Sequence, residues 1–312
     1  MPTTLLSQSQ YAAFINKEAG IIQAEGKTVM GWADIAGPGT DLTGPSVAEY
    51  WNPASGSQDG TSTGTEAVAK GMQVVMAPAN HAYLDQKYVS GRAGNVPPTL
   101  GQNWACAKGC DVDQFYNWDP GSYVTGVTDK NVIGVEGAMW GETVVNMSQV
   151  DYMVFPRLPA LAEVAWSPKA ARTSTSSPAY QDFVVRLAAQ GGRFLAAGQN
   201  FYPSPEVPWR LDLTADGGVV TARGGSVSGG LATLAAPGRA AGAVTATISW
   251  GDGTSSAGTV TGTAATSTSV NGLYSVGGSH QYAQPGRYRS TVTVSAPGTA
   301  TVTAGFVVRV TG

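Results

Sequence analysis

Apolar positions along the first two thirds of the chain alternate between helical and strand-like spacing. In "SQSQYAAFINKEAGIIQAEGK", Tyr11, Phe14, Ile15, Ile21 and Ile22 recur on one helical face, with Ser7 or Ser9 as N-cap. Gly26 stops that helix, and "TVMGWAD" follows as a short strand. "SVAEYW" reads as a second strand, and the helical "TEAVAKGM" leads into a third, "QVVMAP". A long loop with a short helix around "DVDQFYNW" precedes a fourth, "VIGVEGAMW". "SQVDYMVFPRLPALAEVAW" is helical from a Ser148/Asp151 capping pattern and is interrupted by Pro156 and Pro159. "PAYQDFVVRLAAQGGRFLAAG" is the last helix, with Pro178 in its first turn.

Strands that are apolar without alternation, separated by helices, predict a parallel α/β sheet. Four strands fit either a small open sheet or half of an eight-stranded barrel. Polar and aromatic residues at or just past all four strand ends favour the barrel: Trp32 and Asp34, Trp51, Tyr83 and Asp85, Trp140 and Glu142. The pattern changes after "NFYPSPEVPWR". Beyond it "VTATISWGDGT", "SHQYAQPGRYRSTVTVSA" and "TATVTAGFVVRVTG" alternate or are rich in β-branched residues, which predicts a β-sandwich. The expected domains are residues 1–209 and 210–312, joined at that Pro-rich segment.

Composition sharpens this division. Charged residues make up 12% of the 312, and only eight of them fall after Arg210. A net charge of -3 gives no electrostatic footprint for nucleic acid or an anionic membrane. No apolar run approaches the roughly 20 residues of a membrane span, and "MPTTLLSQSQ" lacks the basic and apolar regions of a secretory signal. The low lysine content and Ser/Thr/Gly tracts nevertheless point to an extracellular protein. Cys106 and Cys110 are the only cysteines. They read as a short loop-stapling disulfide, with two free thiols as the alternative; a metal pair would need two further ligands in a chain with two histidines. No metal or cofactor is expected.

The candidate chemistry is aromatic and acidic. Trp32, Trp51 and Trp140 end strands beside polar residues, where a core indole would struggle to place its N–H, so a pocket walled by aromatics fits. Such walls suit sugar rings, whose C–H faces stack on indole while carboxylates accept their hydroxyls. Asp85 and Glu142 read either as a general acid/base pair or as acceptors for substrate hydroxyls. Trp166 reads as core and His81 as a solvated or structural loop residue.

"GKTVMGWAD", "APANHAYLDQKY", "YNWDPGSY", "GVEGAMWGE", "DYMVFPRLPALAEVAWSP" and "RLAAQGGRF…GQNFYPSPEVPW" resemble, in order and spacing, the β-N-acetylhexosaminidases of glycoside hydrolase family 20. The resemblance covers about residues 10 to 209 and implies the C-terminal half, about four β/α units, of a (β/α)8 TIM barrel. It implies a substrate-assisted, retaining mechanism, in which the 2-acetamido group of a terminal β-linked N-acetylglucosamine or N-acetylgalactosamine attacks its own anomeric carbon. Carried over, Trp32, Trp51 and Trp140 would wall the acetamido methyl and Tyr83 would bond the acetamido oxygen. Asp85 and Glu142 would bind sugar hydroxyls, and Trp118 would stand beside O6.

The family's catalytic Asp-Glu pair lies in a His-x-Gly-Gly-Asp-Glu motif ahead of the helix that here begins near Ser7, and no Asp or Glu precedes Glu18. The expectation is therefore a fragment that is inactive alone. In the second domain Trp250, Gly251, Asp252, Gly253, His280, Tyr282, Pro285, Gly286 and Tyr288 resemble the polycystic-kidney-disease (PKD) type of sandwich, in which they are mainly structural. The alternative function is a non-catalytic extracellular carbohydrate-binding or adhesion protein. Expected partners are N-acetylhexosamine-terminated glycans such as chitin oligosaccharides, and self-association through open barrel edges.

Overall fold

In chain order the elements are α1 (Gln8–Ala24), β1 (Val29–Trp32), β2 (Ser46–Tyr50), α2 (Thr61–Ala69), β3 (Gln73–Met76), α3 (Ala79–Ala82), α4 (Val112–Tyr116) and β4 (Val132–Val135). Helices α5 (Met147–Val154), α6 (Arg157–Trp166), α7 (Pro178–Ala188) and α8 (Gly191–Ala196) follow. The remaining strands are β5 (Asp212–Ala215), β6 (Val219–Arg223), β7 (Ser226–Ala236), β8 (Thr245–Ser249), β9 (Ser255–Thr261), β10 (Ala264–Thr266), β11 (Ser269–Gln281), β12 (Gly286–Ser295) and β13 (Val302–Thr311). The structure is a computed structural model, and it describes residues 7–42, 44–53, 61–89, 99–169, 174–217, 219–223, 225–262, 264–266 and 269–311.

Two compact units emerge. The first gathers Met1–Val89, Gly101–Val144 and Arg157–Tyr180; the second is chiefly Val145–Pro156 and Gln181–Gly312. In the first, β1 to β4 form a parallel sheet in sequential order, as part of a TIM barrel. Helix α1 opens on a capping box: the Ser7 hydroxyl accepts from the Gln10 N–H, and the Gln10 side chain accepts from the Ser7 N–H. Its buried residues are Ala12 and Ala19, whereas Phe14 and Ile21 are 56% and 52% exposed. The spacing predicts those large residues inside, but Gly39, at φ +83°, brings its loop so close to Ala12 that only a small side chain fits.

Helix α6 corrects a second expectation. Its buried face is Arg157, Ala160, Leu161 and Val164, the i, i+3, i+4, i+7 stripe. Trp166 lies two residues past Val164, on the opposite side, and is 89% exposed rather than core. The helical run that starts before it breaks where Pro156 removes a donor, and α5 is capped by Asn146, whose side chain accepts from the Gln149 N–H, not by Ser148. Buried Arg157 holds the loop after β3: its guanidinium donates to the carbonyls of Leu84 and Gln86 and lies over the Tyr88 ring, 3.9 Å from its centroid.

The second unit is all-β apart from its helices. Strands run in the order β5-β7-β11-β9-β8-β12-β13-β6, antiparallel except for the parallel β13–β6 pair. Leu231, Leu234, Ile248, Trp250, Val292, Phe306 and Val308 share one core. His280 is stacked on Trp250 and hydrogen-bonded to Asp252 at 2.7 Å, and the Tyr282 hydroxyl donates to the Trp250 carbonyl. The Pro-rich segment is packed, not extended: Phe201 and Tyr202 are fully buried, and Phe201 lies 5.0 Å from Trp209.

Candidate active site

Parallel pairing continues past the strand ends and sets the site. The Ala77 N–H donates to the Tyr50 carbonyl and the Ala79 N–H to that of Trp51, extending β3 along β2. On the other side Tyr83 bridges Ala138, and the Leu84 N–H donates to the Ala138 carbonyl. These bonds bring the residues after β3 beside those after β4.

The result is an aromatic box around Tyr83. Trp32, Trp140 and Trp104 have ring centroids 6.5, 5.8 and 6.0 Å from Tyr83, and Trp32 lies 5.6 Å from Trp140. Trp51 packs against the buried trio Ala79, Tyr83 and Ala138 and stands edge-on to Trp104 at 6.1 Å. Its indole N–H donates to Asp34 at 2.8 Å, so the Asp34 carboxylate orients a wall of the box. Burial raises the Tyr83 pKa, with the charges of Glu49, Asp85 and Asp34 adding to it, so its hydroxyl stays a proton donor.

Asp85 lies two residues on and is 2% exposed, with Oδ1 lacking a hydrogen-bond partner. Burial pushes its carboxyl up to about 6; its own backbone N–H and Arg157 oppose the shift, and Glu142 adds to it. Asp85 and Glu142 are therefore within electrostatic reach of each other, one buried and one exposed. A buried acceptor without a donor, beside an aromatic box, is suited to a ligand hydroxyl.

Trp118 is not brought to the box. It is 5% exposed, its indole N–H donates to the Phe115 carbonyl, and His81 stacks on it at 5.3 Å. Trp104, which no periodicity marks, takes an exposed place on the box at 52%. His81 is buried rather than solvated; burial pushes its imidazole down to about 4, partly opposed by a hydrogen bond to the Gln114 carbonyl. Cys106 and Cys110 are disulfide-bonded, Cα atoms 5.7 Å apart, and staple the loop that carries Trp104. Within that loop Gly109 has φ +88° and a Cβ there would meet the Tyr88 backbone at 2.6 Å.

The sequence also hid two carboxyls below the box. Glu49 of β2 is buried and Glu136 after β4 is exposed; burial first, then the Glu136 charge, raises the Glu49 pKa to about 7. Among the described residues no three His, Cys, Asp or Glu converge as a metal site.

Parallel strands with an aromatic box and carboxyls at their C-terminal ends match the active-site rim of a TIM barrel. The chain belongs to glycosyl hydrolase family 20, whose catalytic domain matches residues 4–169. The β-N-acetylhexosaminidase of Cellulomonas fimi is 31% identical over 65% of this chain and 37% of its own length. A mutant Streptomyces plicatus β-hexosaminidase in complex with product (GlcNAc) is 37% identical, with a TM-score of 0.55 over 64% of this chain and 36% of that one. The Streptomyces coelicolor A3(2) β-N-acetylhexosaminidase gives 34% identity and a TM-score of 0.56, over 65% of this chain and 38% of that one. The chain thus spans little more than a third of these relatives.

Proposed function

We propose that the box of Trp32, Trp51, Tyr83 and Trp140 holds the 2-acetamido group of a terminal β-linked N-acetylglucosamine or N-acetylgalactosamine. The observation that carries this reading is the Tyr83 hydroxyl set among three indoles, where burial keeps its proton available to donate to a ligand carbonyl. The indoles would take the acetamido methyl and exclude water. Tyr83 would donate to the acetamido oxygen and align it on the anomeric carbon, a contribution of proximity and electrostatics. That oxygen would displace the leaving group and form an oxazolinium ion, which water then opens with retention. Asp85 and Glu142 would accept sugar hydroxyls, and Trp104 would cover the ring.

The reaction further needs an acid for the leaving oxygen and a carboxylate for the acetamido N–H. The 312 residues contain no His-x-Gly-Gly-Asp-Glu motif, so this chain by itself is expected not to hydrolyse glycosides. An assay of aryl release from an aryl N-acetylglucosaminide by the purified chain tests this. No release above buffer is expected; release that Tyr83→Phe abolishes would sink it.

An intact box without that acid pair also favours a second reading, a non-catalytic carbohydrate-binding protein. Calorimetry with N-acetylglucosamine and with a thiazoline mimic of the oxazolinium separates them: preference for the mimic marks a hydrolase site, equal affinity a binding module. The disulfide supports an oxidising, extracellular setting. The Trp250–His280–Tyr282 packing supports a PKD-like spacer role for the sandwich.

A further inference from the structure

After Arg210 the chain carries eight charged residues, five Arg and three Asp, and three of the five arginines share one face of the sandwich. In β12 and β13 the core takes Val292, Val294, Phe306, Val308 and Val310. Alternate residues therefore point outward: Arg287, Arg289, Thr291 and Thr293 on β12, and Thr303, Gly305, Val307 and Arg309 on β13. Register sets Arg287 opposite Arg309 and Arg289 opposite Val307, so the three guanidinium groups spring from one corner of the sheet. All three arginines are exposed.

Like charges directly opposite one another weaken a strand pair, and no acid on this face relieves them. Among the described residues no ion pair includes Arg287, Arg289 or Arg309. Asp212 and Asp216 belong to β5 and the turn after it, in the other ladder. Asp252 comes closer along the fold: Gly251, at φ +82°, lies so tightly on the Arg289 backbone that a Cβ would meet its carbonyl oxygen. The Asp252 carboxylate is engaged elsewhere, by His280 at 2.7 Å and by the Thr254 hydroxyl at 2.6 Å. Away from the arginine corner the face is neutral and hydroxyl-rich. Thr247 and Ser249 of β8 stand opposite Thr293 and Thr291, and Thr303 stands opposite Thr293 on the other side.

We propose that the outward face of β8, β12 and β13 binds a strand of acidic polysaccharide built of uronic acid units. Its carboxylates would sit on Arg287, Arg289 and Arg309, because a planar carboxylate matches the guanidinium fork in a bidentate pair. Its hydroxyls would meet the Ser and Thr rows beside that corner. A single-stranded nucleic acid is the poorer fit, since none of these outward residues is an aromatic platform for a base. A lipid surface is poorer too, since Val307 is the one sizeable apolar side chain among them.

The test is calorimetry on the 312-residue chain with oligogalacturonate as probe. Binding is expected at about 0.05 M salt and should weaken about tenfold or more at about 0.3 M. Methyl-esterified oligogalacturonate keeps most hydroxyls and loses the charge, and it should not bind. Arg287→Gln and Arg309→Gln should each weaken binding about tenfold, Arg309→Lys should recover part of the loss, and Arg186→Gln on α7 should change nothing. No binding of oligogalacturonate at low salt, equal binding of its methyl ester, or tighter binding of polyphosphate of equal charge would each overturn the assignment. Those three outcomes are read on the wild-type chain, so they decide even if a variant fails to fold. The face shares no residue with the Tyr83 box, so failure here leaves the acetamido reading standing.

Discussion

Trp118→Ala removes an indole buried under His81 and should cost about 3–5 kcal/mol of stability. Trp104→Ala removes a half-exposed ring and should leave stability within about 0.5 kcal/mol while lowering affinity for N-acetylglucosamine. Urea unfolding and a sugar titration on both variants check the pair. Sequence alone could not separate these two residues, since each stands in a loop beside polar neighbours. What divides them is where the chain places the ring: Trp118 finds an acceptor at the Phe115 carbonyl, and Trp104 abuts Tyr83. Trp32, Trp51, Tyr83 and Trp140 were legible because strand ends reveal rim positions without side-chain detail. His81 gives a pH signature. Its folded value of about 4 lies below the ordinary 6.5. As pH falls from 6.5 to 4 the unfolded chain binds a proton that the folded chain refuses. Stability present above that window is then lost, on the order of 3 kcal/mol. Asp85 acts in the opposite sense, its proton being held more tightly in the fold. The His81 contribution is therefore read as the difference between wild type and His81→Asn in urea titrations at pH 4.5 and 7.

At the scale of elements, the loop between Tyr88 and α4 decides the shape of the box. The Gln102 N–H donates to the Asp85 carbonyl, the Ala105 N–H to the Gln86 side chain, and the disulfide closes the loop just past Trp104. Reduction of the disulfide, or Cys106→Ser, is expected to weaken sugar binding several-fold with little change in far-UV circular dichroism. Unchanged affinity after reduction would show that the hydrogen bonds alone hold Trp104. The strands themselves were readable from their apolar runs, and all four occur. The helices were less so. Spacing places the large apolar residues of α1 inside, but close approach of a glycine loop selects its alanines for burial. For α6 the pattern dictates a helix but not which side faces the sheet.

At the scale of the molecule, β1 and β4 are the outer strands of the four-stranded sheet among the described residues, and Met30 and Ile133 on them are half exposed. Unpaired strand edges with apolar side chains invite pairing, so the chain should self-associate, seen as a sedimentation coefficient that rises with concentration. A compact monomer at all concentrations would count against it. The family was legible in the ordered motifs because they are the residues that build the strand ends. The carboxyls of Glu49 and Glu136 were not, because only register places the two on one face. The central claim is that the Tyr83 box recognises an acetamido group, and a tryptophan-fluorescence titration at pH 7.5, where Asp85 is ionised, tests it most directly. N-acetylglucosamine should perturb the emission and glucose should not, and Tyr83→Phe should remove the difference. An equal response to both sugars, or one that Tyr83→Phe leaves intact, would contradict it.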